Sequence, residues 1–466
     1  MNILLFQPHT GEQGITSFSY PPMGLTALAA YLRQHGHKVK VIDANIEQAS
    51  TARVVSMVLE TNPVIVGITS MSANIGNAFE IVNALKSRDK KIWVIAGGVH
   101  PTVAPEHTLS NTNINAIVRG EGEVTLLELV EAIETGSKFN EIKGIGFRDN
   151  GDCVYTPNRE LIHDLNKLPI PAYDLIPMDK YKSNYGVRKP FAFMVRSRGC
   201  IYKCSFCSNN KILGPVFRCQ TPERTMEEIN YLIENFQIKE ILLKDTEITL
   251  DKKLGDLCDL LIRKDFDLTW SCNGRVNNVS YQLLNKMKDA GCRSITYGIE
   301  SGDEAILRNL RKPLKLDDAR NAVKITKKLG MNVVTNFMIG NPGDTKETIE
   351  KTINFAVELD PDYAYFGFTT AFIGTELREQ AVKNGWLLDS SFDAINYNDV
   401  MMNATSLPTE ELRKCIDNAY RRFYFRPSYI VKRAKLLTPA EVNNSMKGLA
   451  SILRNTLKVV FKKKTA

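Results

Sequence analysis

The chain opens on an apolar run, Ile3-Leu4-Leu5-Phe6, and then changes period. Leu25, Leu28 and Leu32 recur at helical spacing after Pro22. That pattern stops near Gly36, with Arg33 and His35 in its last turn. Val39 and Val41 alternate with lysines as a strand ending at Asp43. Val64-Ile65-Val66-Gly67-Ile68, Ile92-Trp93-Val94-Ile95-Ala96 and Ala116-Ile117-Val118 are unbroken apolar runs, the mark of strands covered on both faces. Helical periodicity covers 73–86 and 123–134. Apolar strands alternating with helices predict an α/β unit over residues 1–140, a doubly wound, Rossmann-like parallel sheet.

The pattern then breaks. Residues 141–190 hold a hairpin-like Asp149-Asn150-Gly151-Asp152 followed by Pro169, Pro171 and Pro177, which predicts a stiff, extended linker. A second alternation starts at Ala192. Strands are expected at 192–197, 239–245, 268–273, 294–299, 331–339 and 363–369. Helices are expected at 222–235, 252–264, 281–290, 303–310, 316–329 and 344–358. Six βα units predict a partial or full parallel barrel over 191–385, with 386–466 as a helical C-terminal extension. Both sheet types bind ligands at the carboxyl ends of their strands. In the first unit those ends carry Ser70, Ser72 and Asn74, then Gly97-Gly98, then Gly120-Glu121-Gly122. Taken alone, each glycine pair also suits an ordinary tight turn.

Composition adds boundaries. Hydrophobic residues are 43% and charged residues 24%, which excludes collagen-like and disordered classes for the bulk. No apolar run approaches the ~18 residues of a membrane span. The first residues lack a basic region and a cleavage site, so they read as a strand and not a signal peptide. Nine cysteines are too few for a disulfide scaffold and point to reduced thiols or metal ligands in a cytoplasmic protein. The net charge of +8 is concentrated at one end: residues 411–466 carry +11 and the rest −3. Within 446–466, Leu449, Ile452, Leu453, Leu457 and Val460 share one helical face, and Lys447, Arg454, Lys458, Lys462, Lys463 and Lys464 line the rest, with no acid. This suits a membrane interface; a solvated helical cap is the plainer reading. Tyr420–Pro427 interleaves cations with aromatics, as a nucleic-acid surface can, but packing onto the barrel explains it as well, and a nucleic-acid partner is not expected.

The strongest chemical signal is Cys200-Ile201-Tyr202-Lys203-Cys204-Ser205-Phe206-Cys207, directly after the first barrel strand. Three thiolates at this spacing on one loop can hold a 4Fe-4S cluster and leave one iron open to an exogenous ligand. A structural zinc site wants four ligands, and Cys219, twelve residues on, is the one candidate for a fourth. The six cysteines at 153, 219, 258, 272, 292 and 415 otherwise read as small core residues.

This loop, with its aromatic before the last cysteine, resembles the radical S-adenosylmethionine (SAM) superfamily. The resemblance implies a cluster held by Cys200, Cys204 and Cys207, SAM on the open iron, and reductive cleavage of SAM to a 5′-deoxyadenosyl radical. It also implies SAM contacts by Phe206, by Asp245 and Glu247 after the second barrel strand, by Arg275 after the third, by Glu300 after the fourth, and by Gly340 after the fifth. Lys244-Asp245-Thr246-Glu247 departs from the family's commonest form there. Ser301 and Asp344 also suit helix N-caps.

Pro21-Pro22-Met23-Gly24-Leu25, Gly97-Gly98-Val99-His100-Pro101-Thr102, Arg119-Gly120-Glu121-Gly122-Glu123 and Gly374-Thr375-Glu376-Leu377 resemble the cobalamin-binding branch of that superfamily. By this resemblance Ser70, Ser72, Asn74, Gly97, Gly98, Gly120 and Glu121 contact cobalamin. The Asp-x-His-x-x-Gly signature of cobalt-ligating histidines is absent, so His9 and His100 read as loop residues. The resemblance implies C-methylation of an unactivated carbon of a small-molecule or lipid substrate, with a low-potential electron donor; the basic amphipathic pattern of 446–466 adds the expectation of peripheral membrane contact. A radical cyclase or ring rearrangement is the second reading, and a non-catalytic cobalamin or iron–sulfur binding protein the third.

Overall fold

The computed structural model describes residues 1–9, 20–47, 49–183, 188–391 and 399–436. The basic segment 446–466 lies outside the described residues. The first sheet runs β1 (Asn2–Gln7), β2 (Lys38–Asp43), β3 (Ile65–Thr69), β4 (Trp93–Gly97), β5 (Ala116–Val118), β6 (Ile145–Asp149) and β7 (Asp152–Tyr155), in the spatial order β2-β1-β3-β4-β5-β6-β7. Its first five strands are parallel, and β6 and β7 add antiparallel. The order reverses at β1/β3, which opens a crevice at the carboxyl strand ends. Helices Met23–Gln34 and Glu123–Thr135 bury one face of this sheet, and helices Thr51–Leu59 and Ile75–Arg88 the other.

The hairpin expected within the linker thus belongs to the first sheet. Residues after it are no loose spacer either. Leu165, Tyr173, Ile176 and Tyr181 are buried. Ala172 N–H donates to the Thr26 carbonyl at 3.0 Å, and the Tyr181 hydroxyl to Asp43 at 3.1 Å. Tyr173 donates to Glu228 of the second unit at 2.7 Å.

The second sheet comprises β8 (Phe191–Met194), β11 (Glu240–Leu243), β12 (Thr269–Gly274), β13 (Cys292–Glu300), β14 (Asn332–Ile339) and β15 (Tyr363–Phe368). All six are parallel in the order β15-β14-β13-β12-β11-β8. β8 and β15 do not pair, so the barrel is partial. Alternate residues pack outward: Ala192, Met194, Ile241, Leu243, Ile295 and Tyr297 meet Met226, Ile229 and Leu257 of the helical shell in one core. The other face of β12 and β13 is only half-buried and carries Ser271, Asn273 and Thr296, so the bore is polar toward its mouth.

Each open edge is closed by a different device. At β15, Tyr424 Oη receives the Ala364 N–H at 3.1 Å and donates to the Ala364 carbonyl at 2.9 Å. Tyr420 does the same for Phe366, at 3.2 and 3.0 Å. Helix Thr409–Tyr424 therefore satisfies the backbone that a seventh strand would pair. At β8, Tyr20 meets Phe193 edge-on at 5.1 Å, and Met23 packs on Phe191 and Phe193. The aromatic–cationic stretch at 420–427 thus packs on the barrel. A further short pair, β9 (Ser197–Arg198) and β10 (Arg218–Cys219), brackets the cysteine loop.

Two cap expectations shift by a residue or two. Asp303 caps helix Glu304–Asn309, and Thr345 caps Lys346–Leu359. Ser301 pairs with Thr352 instead, and Asp344 takes the N–H groups of Gly340 and Asn341.

Candidate active site

The cysteine loop leaves β9 through Gly199, at φ +82°, where a Cβ would fall 2.0 Å from the Val216 carbonyl oxygen. Only glycine fits, so the chain enters Cys200 on a fixed path. Cys200 N–H reaches the Gly214 carbonyl at 3.3 Å, Ser205 N–H the Leu310 carbonyl at 3.0 Å, and Leu377 N–H the Ser205 carbonyl at 2.9 Å. The loop is pinned to both sides of the barrel mouth. Cys200 is half-buried and Cys207 exposed; loss of solvation at the sulfurs raises both thiols, and repulsion among the three sulfurs adds to it. Among the described residues no trio of His, Cys, Asp or Glu is gathered about one point as for a single ion. Three soft thiols at this spacing on one pinned loop suit an iron–sulfur cluster.

Arg275 lies over this loop. Its guanidinium is 3.7 Å from the Tyr202 ring centroid and donates to Cys204 Sγ at 3.8 Å and to the Pro313 carbonyl at 3.3 Å. Glu300 sits at φ +69° beside a register shift in β13, its carboxylate 2.6 Å from Lys312 Nζ. Both charges are felt at Cys207. Gly340 follows β14, and its N–H goes to Asp344.

Three further residues expected at SAM have partners within the protein. Asp245 Oδ1 accepts the N–H groups of Arg196 and Ser197, both at 2.8 Å, and so supports the strand leading into the loop. Its Oδ2 is buried without a partner. Glu247 Oε1 accepts from the Thr249 hydroxyl and from the N–H groups of Thr249 and Arg275. Burial raises the pKa of both carboxyls, and these donors oppose it. A buried carboxylate needs such partners, and the turn supplies them. Phe206 packs against Ala371, Leu377, Ala381 and Met402. Cys219 turns to Asp251, 3.7 Å away, and burial raises its thiol well above the ordinary value. Of the cysteines read as core, Cys258, Cys272, Cys292 and Cys415 are buried, whereas Cys153 is exposed.

At the first sheet's carboxyl edge, Ser70, Ser72 and Asn74 are all buried. Ser70 Oγ has no partner, which suits a group supplied by a ligand. Ser72 Oγ lies 2.9 Å from His100 Nδ1, and His100 Nε2 lies 2.9 Å from His107. Asn74 Oδ1 accepts the Met71 N–H at 2.8 Å. His9 faces the Ala49 carbonyl at 2.7 Å. Gly97 ends β4, and Gly98, at φ +94°, is held against Thr69 and Ser70 too closely for any Cβ. Open space flanks Gly120. Glu121 is different: its carboxylate is bound by Arg218 at 2.8 Å and Arg198 at 2.9 Å, both from the second unit. It joins the two units.

Residues 194–356 match the model of the radical SAM superfamily, and residues 16–130 that of the B12 binding domain. An uncharacterized methyltransferase of Pyrococcus horikoshii is 36% identical over 436 residues, spanning 93% of this chain and 94% of that protein. The chain belongs to the cobalamin-binding radical SAM family. An anaerobic magnesium-protoporphyrin IX monomethyl ester cyclase of Rubrivivax gelatinosus is 28% identical, over 92% of this chain and 78% of the cyclase. Among solved structures, the radical SAM methyltransferase TsrM of Kitasatospora setae, with cobalamin and a [4Fe-4S] cluster bound, superposes with a TM-score of 0.72 at 17% identity, over 94% of this chain and 89% of TsrM. That likeness speaks to the fold.

The sequence pattern gives no sign of Lys312, which pairs with Glu300, or of Arg198, which binds Glu121 and Glu123. Lys312 is a basic residue on a short loop and Arg198 one on a two-residue strand, and no periodic pattern marks either. Asp245-Thr246-Glu247 was found by position after a strand, but position does not reveal which way a carboxylate turns.

Proposed function

We propose that this enzyme transfers a methyl group to an unactivated carbon of a small-molecule substrate. The observation that carries the proposal is the seating of a B12-type domain against the β9–β10 pair that brackets the three-thiol loop of a SAM barrel. When bound, the cluster with SAM supplies a hydrogen-abstracting 5′-deoxyadenosyl radical, and cobalamin supplies the methyl group. Cys200, Cys204 and Cys207 would hold the cluster. Arg275, Glu300, Lys312 and the Gly340 turn would face SAM at the barrel mouth, and Ser70, Gly97, Gly98 and Gly120 would line the cobalamin side. The protein's own work is to orient these groups and exclude water.

The test is anaerobic purification, reconstitution with iron, sulfide and hydroxocobalamin, and desalting. About four irons with stoichiometric cobalamin are expected per chain. Iron without cobalamin would sink methyl transfer. The cyclase relative favours one second reading, ring closure of a similar substrate. Products separate the two: a methylase yields S-adenosylhomocysteine together with 5′-deoxyadenosine, and a cyclase consumes no methyl donor.

The cluster's chemistry requires a low-potential electron donor, in keeping with a cytoplasmic setting. Among the described residues no helix is long and apolar enough to cross a membrane. The composition of 446–466 supports contact with an anionic membrane surface; the test is flotation with phosphatidylglycerol vesicles, and loss of flotation on deleting 446–466 is the expected result.

A further inference from the structure

Four charged side chains lie between the two units, bonded to one another. Arg198 Nη1 donates to Glu121 at 2.9 Å and to Glu123 at 3.2 Å, and its Nη2 to Glu123 at 2.5 Å. Arg218 Nη1 donates to both oxygens of Glu121, at 2.9 and 2.8 Å. Glu121 also accepts the Ile162 N–H at 2.7 Å, and Arg218 reaches the carbonyls of Ile162 and Leu213. Side-chain exposure is 3% for Glu121, 5% for Glu123, 4% for Arg218 and 17% for Arg198. Ion pairs this buried are poor sources of net stability, because desolvation offsets much of their attraction. What they do provide is geometry: a two-pronged guanidinium fixes direction as well as distance.

The placement of the four residues gives that geometry a use. Glu121 and Glu123 flank the turn after β5, next to the open space at Gly120. Arg198 is the last residue of β9, and only Gly199 separates it from Cys200. Arg198 and Arg218 are also direct partners in the β9–β10 ladder. Gly199 has no room to relax against Val216. A movement of the β5 turn is therefore passed to the first cluster thiol through a single rigid step.

We propose that Glu121, Glu123, Arg198 and Arg218 are positioning residues that fix the separation of the two cofactors, by clamping the cobalamin-side turn after β5 to the base of the cluster loop. The inference rests on the cofactor reading above. It predicts that loosening the clamp leaves both cofactors bound but poorly registered.

The test uses the full chain reconstituted with iron, sulfide and hydroxocobalamin, then reduced with dithionite so that cluster and cobalt are both paramagnetic. Pulsed dipolar EPR reads the distance distribution between them. In the parent protein one narrow distribution is expected. Glu123→Gln should broaden it by on the order of 1 Å, the scale of misplacement that costs about 100-fold in rate, with iron and cobalt per chain unchanged. Arg198→Lys keeps the charge but loses the fork, and should give the same broadening if Glu123→Gln does not fold. The double variant Glu123→Arg with Arg198→Glu should narrow the distribution again. An unchanged width in both single variants overturns the positioning role. So does loss of iron or cobalt from folded variants, which would make these residues part of cofactor binding. A parent protein that holds iron and no cobalamin overturns the cofactor reading, and this one with it.

Discussion

Arg275 puts a single positive charge against Cys204 Sγ, at 3.8 Å, while stacking on Tyr202. A cation there favours the more negative, reduced form of a cluster. Arg275→Met should therefore lower the midpoint potential, by on the order of one tenfold step, about 59 mV for one electron. A redox titration followed by EPR checks this, and an unchanged or raised potential removes the electrostatic role. His100 gives a residue-scale pH effect. Burial, and secondarily the charge of His107, hold its pKa at about 4 against an ordinary 6.5. Between those values the unfolded chain binds the proton and the folded chain does not. Stability therefore rises with pH across that window and is lost as pH falls, with a slope approaching about 1.4 kcal/mol per unit. Urea unfolding at stepped pH should show the slope, and His100→Asn should flatten it. The cysteine loop was legible because all three thiols are local in sequence. The roles of Glu121 and Asp245 were not. Glu121 meets arginines 77 and 97 residues away, and Asp245 meets N–H groups 48 and 49 residues away. No spacing rule reaches that far.

At the scale of elements, the long periodic segments were legible and the short ones were not. Every strand expected from an apolar run is present, because burial on both faces leaves a continuous signal. The pair β9–β10 has two residues per strand and carries no period at all. The hairpin at 145–155 was visible, but its attachment to β5 depends on tertiary pairing. Closure of the barrel edge was equally hidden, since a tyrosine that completes a strand's hydrogen bonds looks like any other helical tyrosine. That closure makes a prediction. Tyr424→Phe removes the hydroxyl serving both the N–H and the carbonyl of Ala364. Leaving such groups unsatisfied costs about 1–3 kcal/mol. Urea unfolding should show a loss of that size, and Tyr420→Phe a similar one at Phe366. Losses below the range would mean that water replaces the hydroxyl. Gly199→Ala tests the loop path: its Cβ would collide with the Val216 carbonyl. Iron per chain after reconstitution should fall, while far-ultraviolet circular dichroism stays that of the parent.

For the whole molecule, the segment between the sheets decides how the two units behave together. Proline content pointed to a spacer, yet its residues are bonded to both sides. Ala172 and Tyr181 hold the first unit, through Thr26 and Asp43. Asn166 accepts the Thr221 N–H at 2.8 Å, and the Leu168 carbonyl accepts from Arg224 at 3.1 Å, so the same stretch also holds the second. Tyr173 is the central fastening: fully buried, it donates to Glu228, whose own carboxyl burial pushes toward the protonated form. A true spacer would be the first place a protease cuts, because exposed, unbonded backbone is what such enzymes accept. Here the backbone of 161–183 should resist trypsin despite Lys167, Lys180 and Lys182, for as long as the units stay docked. Tyr173→Phe removes the donor from a buried carboxyl, at a cost of about 1–3 kcal/mol, and should make Lys167 a preferred cut, read by mass spectrometry of the fragments. Early cleavage at Lys167 in the parent protein would show that this segment tethers the two units and does not fasten them, and that the register of the cofactor sites then depends on the clamp of Glu121, Glu123, Arg198 and Arg218.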